Sequence, residues 1–174
     1  MAEKKFKAYL LVNRVVSNTS SAIELYSKSL IGERIENKVQ YSFVEALYLI
    51  KRGKMKLLKD NKKISADAFM AVAEKKERNF FAKFSVYENL KNSGYIVKTA
   101  LKFGADFRVY DKGKKPGEVH ARWIVFPVYE TDKLTWHEFS AKNRVAHSTK
   151  KNLLIAIVDS EGDVIYYEVK WLRP

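Results

Sequence analysis

The sequence predicts an α+β fold in two parts: a small N-terminal α+β domain (residues 1–82) packed on a C-terminal domain (residues 83–174) with a mixed, α/β-like sheet. Two observations support this. Ser42 and Thr135 are each followed three residues later by glutamate, which is the spacing of a capping box at a helix start. Short β-branched and aromatic runs surround both helix starts. Helices and strands interspersed in this way are typical of α+β and α/β domains.

The N-terminal part contains two predicted strands and three predicted helices. In order, we expect a strand over residues 6–16, a helix from Ala22 to Leu30, a helix from Ser42 to Gly53, a strand over residues 55–58 and a helix capped by Ser65. No Pro/Gly-rich linker follows. A charged segment leads into apolar residues at helical spacing, so we expect the boundary within residues 78–84.

The C-terminal part reads as strands around one helix. We expect strands over residues 95–101, 107–110, 122–129, 153–158 and 164–169, with a helix after Thr135 and a hairpin over residues 159–163. The segment 111–119 contains three lysines, Pro116 and two glycines, which is typical of an exposed turn. This order of elements predicts a mixed sheet with a helix on one face.

The composition indicates a polyanionic partner. The chain has 174 residues with a net charge of +13, and 47% of its residues are apolar. Such a basic excess favours nucleic acid, although an anionic membrane surface or adaptation to heat would also explain it. There is no cysteine, which excludes disulfides and thiolate metal sites. The first apolar run is broken by Asn13 and Arg14, so we expect a soluble cytoplasmic protein without a signal peptide or membrane span.

The sequence shows no motif for a cofactor or a metal. It has no glycine-rich phosphate loop, no His-x-x-x-His and no acidic cluster resembling a two-metal nuclease, so we expect neither group. Its three histidines are scattered, and a lone histidine is more often structural than catalytic. The setting of three residues is the clue: Tyr110 and His120 flank one basic loop, and Lys151 precedes an apolar strand.

A tyrosine, a histidine and a lysine suffice for one metal-free reaction. RNA is cleaved when its own 2′-hydroxyl attacks the neighbouring phosphate, which needs a base, an acid and a cation. Histidine suits the acid because it titrates near neutral pH. Tyrosine is a weak base unless cations favour its phenolate, and Arg108 and the loop lysines are available for this.

Three long segments resemble the archaeal tRNA-splicing endonuclease family, in a likeness that covers nearly the whole chain. They are YSFVEALYLIKRGKMKL, YENLKNSGYIVKTALKFGADFRVY and RVAHSTKKNLLIAIVDSEGDVIYYEV. The family uses a Tyr-His-Lys triad, and the matching positions are Tyr110, His120 and Lys151. The resemblance implies a metal-independent RNA endonuclease that cleaves precursor tRNA at bulge–helix–bulge junctions and leaves 2′,3′-cyclic phosphate and 5′-hydroxyl ends. By analogy Tyr110 is the base, His120 the acid and Lys151 the cation.

The resemblance also implies residues that grip RNA and join subunits. Arg144 matches a family arginine that stacks on an extruded bulge nucleotide, with Tyr166, Lys170 and Trp171 as candidates for its partner. The acidic hairpin of Asp159, Glu161 and Asp163 matches a loop that docks into a basic pocket on another subunit. The short chain resembles members that assemble as tetramers, formed either by self-association or with a paralogous subunit.

Two rival interpretations stay open. One is a non-catalytic, RNA-binding or structural subunit of the same assembly, although such subunits generally lack the triad. The other is a basic DNA-binding protein without chemistry, which explains the charge and leaves the Tyr-His-Lys match unexplained.

Overall fold

The structure is a computed structural model that describes residues 5–172, apart from the side chain of Phe103. The chain divides into two compact units, Met1–Phe84 and Ser85–Pro174. Each contains one mixed sheet, and the described residues form five α-helices in total. The predicted α+β class is confirmed.

The first unit has a six-stranded sheet of order β3-β4-β2-β1-β5-β6, in which only β1 and β5 pair in parallel. Its strands are β1 (Phe6–Leu10), β2 (Val15–Ser17), β3 (Glu33–Ile35), β4 (Lys38–Tyr41), β5 (Met55–Lys59) and β6 (Lys62–Lys63). Its helices are α1 (Ser20–Ser29), α2 (Phe43–Lys51) and α3 (Ala66–Lys76), while α4 (Phe80–Asn92) crosses the division between the units.

The prediction of one strand over residues 6–16 is wrong, because the chain reverses in the middle of this run. The Leu11 amide donates to the Arg14 carbonyl at 2.8 Å, and β1 and β2 pair antiparallel. Leu11 and Val12 are 50% and 81% exposed. Their apolar character made the run look continuous, although they occupy the turn.

A buried carboxylate holds the start of α2, as the capping-box spacing at Ser42 predicts. Glu45 is 4% exposed. Its carboxylate accepts from the Ser42 amide at 2.9 Å, the Ser42 hydroxyl at 2.8 Å and the Gly32 amide at 3.0 Å. Gly32 has a φ of +88°, and a Cβ there would lie 2.9 Å from the Gln40 carbonyl oxygen. Glu45 therefore ties the helix start to a turn that favours glycine.

The second unit has a five-stranded sheet of order β11-β10-β9-β8-β7. Its elements are β7 (Ile96–Thr99), a 3₁₀ turn (Leu101–Phe103), β8 (Phe107–Tyr110), β9 (Trp123–Tyr129), α5 (Trp136–Ser148), β10 (Asn152–Val158) and β11 (Val164–Val169). The central strands β9 and β10 are parallel, and the other pairs are antiparallel. The connection between the two parallel strands contains α5, as a crossover requires.

Both faces of this sheet are covered. Ala146 of α5 packs with Ile124 and Leu153 in a buried cluster on one face. On the other face the ring of Tyr87 in α4 lies 5.8 Å from that of Phe107. The second predicted capping box is confirmed, since Thr135 Oγ1 accepts from the Glu138 amide and the Glu138 carboxylate accepts from the Thr135 amide.

Candidate active site at one edge of the C-terminal sheet

Three chain segments converge where β8 ends and β9 and β10 begin. Because β8 runs antiparallel to β9, and β9 parallel to β10, the end of β8 and the starts of the other two strands share one sheet edge. Two backbone hydrogen bonds tie the segments together: the Arg122 amide donates to the Val109 carbonyl at 2.8 Å, and the Asn152 amide donates to the Arg122 carbonyl at 3.0 Å. The backbone of Arg122, just before β9, is thus hydrogen-bonded to both β8 and β10 and joins the three strands at this edge.

The residues predicted for the triad lie at this edge. Tyr110 is the last residue of β8, His120 lies three residues before β9, and Lys151 immediately precedes β10. Tyr110 is only 4% exposed, whereas His120 is exposed and Lys151 is half-buried. The fold therefore brings the three backbone positions to one edge and covers the tyrosine side chain most deeply.

A second cation lies near Lys151. Arg108 pairs in register with Ile124, so strand alternation puts Arg108 and Tyr110 on the sheet face that α5 covers. Burial, followed by the nearby positive charge of Arg108, lowers the pKa of Lys151. The Lys151 ammonium donates to the Thr149 carbonyl at 2.6 Å. The Lys151 ammonium is therefore hydrogen-bonded in the neighbourhood of a second cation, and two such charges together attract anionic groups.

The loop between β8 and β9 is fastened at its base. Asp111 Oδ1 lies 3.2 Å from the Arg122 guanidinium, and that guanidinium also lies 4.3 Å from the ring centre of Trp123. Lys112, Lys114 and Lys115 are exposed beyond the ion pair. The loop therefore holds His120 near its fixed base and presents Lys114 and Lys115 further out, while Lys112 lies at the base with its ammonium 5.1 Å from the Tyr95 ring centre.

A groove lies beside Lys151, between α5 and the end of β11. Its wall contains one aromatic pair, His147 and Trp171, whose ring centres are 4.9 Å apart. The lining residues are Asn143, His147, Lys151, Asn152, Val169, Lys170 and Trp171. Sequence reasoning missed Asn143 and left the place of His147 open. Their four-residue spacing on a helix that leads to Lys151 was the available signal.

The residues predicted to bind RNA do not all lie in the same part of the second unit. Arg144 is exposed on α5, one turn before His147. Lys170 and Trp171 line the groove, whereas the Tyr166 hydroxyl donates to Asn89 at 2.9 Å and its pKa is raised by burial. Of the three candidates for a partner of Arg144, Lys170 and Trp171 therefore border Lys151.

The acidic hairpin contains one carboxylate with a structural role. Asp159 Oδ1 accepts from the Glu161 and Asp163 amides, both at 2.9 Å, and this shapes the turn in which Gly162 has a φ of +91°. The side chains of Glu161 and Asp163 are exposed. Of the three carboxylates in this hairpin, Asp159 therefore stabilises the turn, and Glu161 and Asp163 remain exposed to solvent.

Residues 5–172 contain neither a metal-binding cluster nor a membrane-spanning helix. No three His, Asp or Glu side chains in this range converge closely enough to hold a metal ion. None of the helices formed by the same residues combines the length and the apolar character needed to cross a membrane.

Two mixed-sheet units and a cationic sheet edge define a basic α+β protein suited to a phosphate-rich ligand. Family models give the chain a more specific place: residues 6–70 match the N-terminal domain of tRNA intron endonucleases, and residues 80–166 match their catalytic C-terminal domain. The chain belongs to the tRNA intron endonuclease family.

Curated relatives agree with this assignment over most of the chain. The tRNA-splicing endonuclease of Methanothermobacter thermautotrophicus is 43% identical over 91% of this chain and 92% of its own length. That of Pyrococcus abyssi is 38% identical over 98% of this chain and 99% of its own length. That of Nanoarchaeum equitans is 38% identical over 83% of this chain and 100% of its own length.

Proposed function

We propose that this chain is a metal-independent tRNA-intron endonuclease that cleaves precursor tRNA at bulge–helix–bulge junctions and leaves 2′,3′-cyclic phosphate and 5′-hydroxyl ends. The observation that carries the proposal is the convergence of Tyr110, His120 and Lys151 at one edge of the sheet. The three residues come from three separate segments of the unit that matches the family's catalytic domain.

Each of the three side chains has a role in the proposed reaction. Tyr110 takes the proton of the 2′-hydroxyl, whose oxygen then attacks the adjacent phosphorus. The bond from phosphorus to the 5′-oxygen breaks, and His120 gives that oxygen a proton. Lys151 stabilises the negative charge on the non-bridging oxygens at the transition state. The product is a cyclic phosphate because the 2′-oxygen stays bonded to phosphorus.

RNA binding is proposed for the exposed face of α5 and the neighbouring groove. Arg144 offers a planar guanidinium that can stack on an unpaired base. Trp171 is 56% exposed and packs against His147 in a groove that also contains Lys151. A base held in this groove would bring its phosphate toward the Lys151 ammonium.

Assembly into a tetramer, formed by one chain or with a paralogous subunit, is part of the same proposal. A precursor with two junctions needs two active subunits, and closed symmetric oligomers provide them. Glu161 and Asp163 are exposed carboxylates on a chain of net charge +13, so they complement a basic surface on another copy.

One observation favours the alternative of a non-catalytic subunit. Tyr110 is 4% exposed, and a general base must reach the proton that it removes. If this covering persists with RNA bound, the chain would bind precursor tRNA and leave it intact.

The test is cleavage of an intron-containing precursor RNA in excess chelator, with analysis of the product ends. We expect full activity, cyclic phosphate ends, and a loss of about three decades or more in rate for His120→Ala. His137→Ala is the matched control, because His137 is exposed on the first turn of α5 and away from the strand edge. Loss of activity on chelation would refute the metal-free reaction, and binding without cleavage would support the non-catalytic alternative.

A further inference from the structure

The positive charge of the chain is concentrated in the unit that lacks the proposed triad. Residues 1–84 contain 18 basic and 9 acidic side chains, whereas residues 85–174 contain 15 and 11. The first unit therefore carries +9 of the total +13. The proposed active site lies in the second unit and binds one scissile phosphate, so it does not explain the +9 charge of the first unit.

Much of the excess lies on and just before one β-hairpin. Residues 51–63 contain seven basic side chains and one acidic one. Strands β5 and β6 form the hairpin, and Asp60 and Asn61 both have positive φ in its two-residue turn. Because β6 is the outermost strand of its sheet, one side of the hairpin is unpaired. Strand alternation puts Lys59 and Lys62 on one face of the hairpin and Lys56 and Lys63 on the other, so the lysines flank this edge on both sides.

The strand register places like charges opposite each other. Lys59 pairs with Lys62 across the hairpin, and Lys7 pairs with Lys56 across β1 and β5. Directly opposed like charges destabilise a sheet. Among residues 5–172, no carboxylate lies within ion-pair distance of Lys56, Lys59 or Lys62. A bound polyanion would remove this repulsion.

We propose that the β5–β6 hairpin binds the phosphate backbone of a double-stranded segment of the RNA substrate, through Lys56, Lys59, Lys62 and Lys63. The inference rests on the proposed action on precursor tRNA and adds a second contact surface to it. Residues 54–63 contain no aromatic side chain, so the hairpin offers no platform on which unpaired bases could stack. Fixed cations without such a platform suit an A-form duplex, which proteins recognise largely through its shape and backbone.

The test compares two triple variants with the same change in net charge. The first is Lys59→Gln, Lys62→Gln and Lys63→Gln, and the control is Lys28→Gln, Lys38→Gln and Lys75→Gln. All six lysines are exposed in the same unit. The probes are a blunt RNA duplex without bulges and a single strand of the same length, with the dissociation constant measured across a series of salt concentrations.

The plot of log affinity against log salt has a negative slope for the duplex. We expect the hairpin variant to make this slope shallower by about two to three, because each lost phosphate contact removes about 0.9 from its magnitude. The control should change the slope by less than about one, and the single strand should respond less than the duplex. Should the triple variant fail to fold, Lys62→Gln with Lys63→Gln repeats the test with an expected change of about two.

Equal slopes for hairpin and control variants would overturn the proposal. Aggregation of the hairpin variant with an unchanged slope would also overturn it, and would indicate that the lysines only protect an edge strand from pairing with other chains. A larger response to the single strand than to the duplex would reject duplex RNA as the ligand. Because these readouts need no cleavage, an inactive chain that still shows the slope change would refute the proposed catalysis and leave the hairpin surface standing.

Discussion

The ion pair between Asp111 and Arg122 gives a graded prediction for the proposed active site. Arg122→Gln removes two contacts of the guanidinium, the 3.2 Å ion pair and the 4.3 Å approach to the Trp123 ring, whereas Asp111→Asn removes only the first. The two charged side chains are 48% and 49% exposed, so the ion pair contributes about 0.2–1 kcal/mol. The ring contact contributes about 0.5–1 kcal/mol.

These energies set the expected loss of rate. The backbone bonds of residue 122 survive the substitution, so only the ordering of the loop that carries His120 is weakened. A cost of about 1–2 kcal/mol corresponds to a fall of about 5–30-fold in the single-turnover cleavage rate of Arg122→Gln. Asp111→Asn should lose at most about fivefold. Both losses stay well below that expected for His120→Ala.

The control is Arg52→Gln, which removes an exposed arginine lying 5.3 Å from the Tyr48 ring centre in the other unit and should leave the rate unchanged. A thousandfold loss in Arg122→Gln would refute the reasoning, because it would mean that Arg122 acts on the RNA directly. A larger loss for Asp111→Asn than for Arg122→Gln would refute it as well, since the aspartate makes only one of the two contacts.

Four further predictions test other parts of the molecule. Glu45→Ala should lower the free energy of unfolding by about 2–4 kcal/mol in urea titrations, because two backbone amides lose their partner; a loss below about 1 kcal/mol would contradict this. Since its pKa is lowered, Lys151 loses its proton at a lower pH than an exposed lysine, so Lys151→Arg should shift the alkaline fall in cleavage rate to higher pH; an unmoved alkaline limb would argue against the cation role. Arg144→Lys should weaken binding of a bulged RNA about tenfold and leave binding of an unbulged duplex unchanged, whereas equal losses on both RNAs would indicate a simple phosphate contact. Glu161→Lys with Asp163→Lys should shift the native mass toward dimer or monomer, whereas Glu33→Lys with Glu74→Lys should not; an unchanged mass for the first pair would reject docking through the hairpin.

The acidic hairpin shows why the design of such a test depends on the structure. Sequence reasoning grouped Asp159, Glu161 and Asp163 by their charge. In the fold, Asp159 accepts two backbone hydrogen bonds and builds the turn, so reversing its charge would disturb the hairpin together with any interface. The assembly test therefore retains Asp159.

Local signals in the sequence determined the helix starts and the strands of the second unit, whereas β3, β4 and β6 of the first unit were not predicted. The two capping boxes located the starts of α2 and α5, because a hydroxyl and a carboxylate three residues apart satisfy orphan amides wherever the helix lies. The strands of the second unit followed from β-branched runs, and the net charge indicated a polyanionic ligand. The prediction of one strand over residues 6–16 was wrong because it also relied on a local signal alone. Apolar residues in an exposed turn resemble those of a strand.

Only the tertiary structure decided which residues share a surface. Tyr110, His120 and Lys151 are far apart in sequence, and the parallel pairing of β9 with β10 brings their segments to one edge. The same pairing makes residue 122 the link between three strands. Register within each strand pair follows the hydrophobic pattern and the turns. The order of the strands, which brings side chains distant in sequence together, depends on packing across the whole sheet.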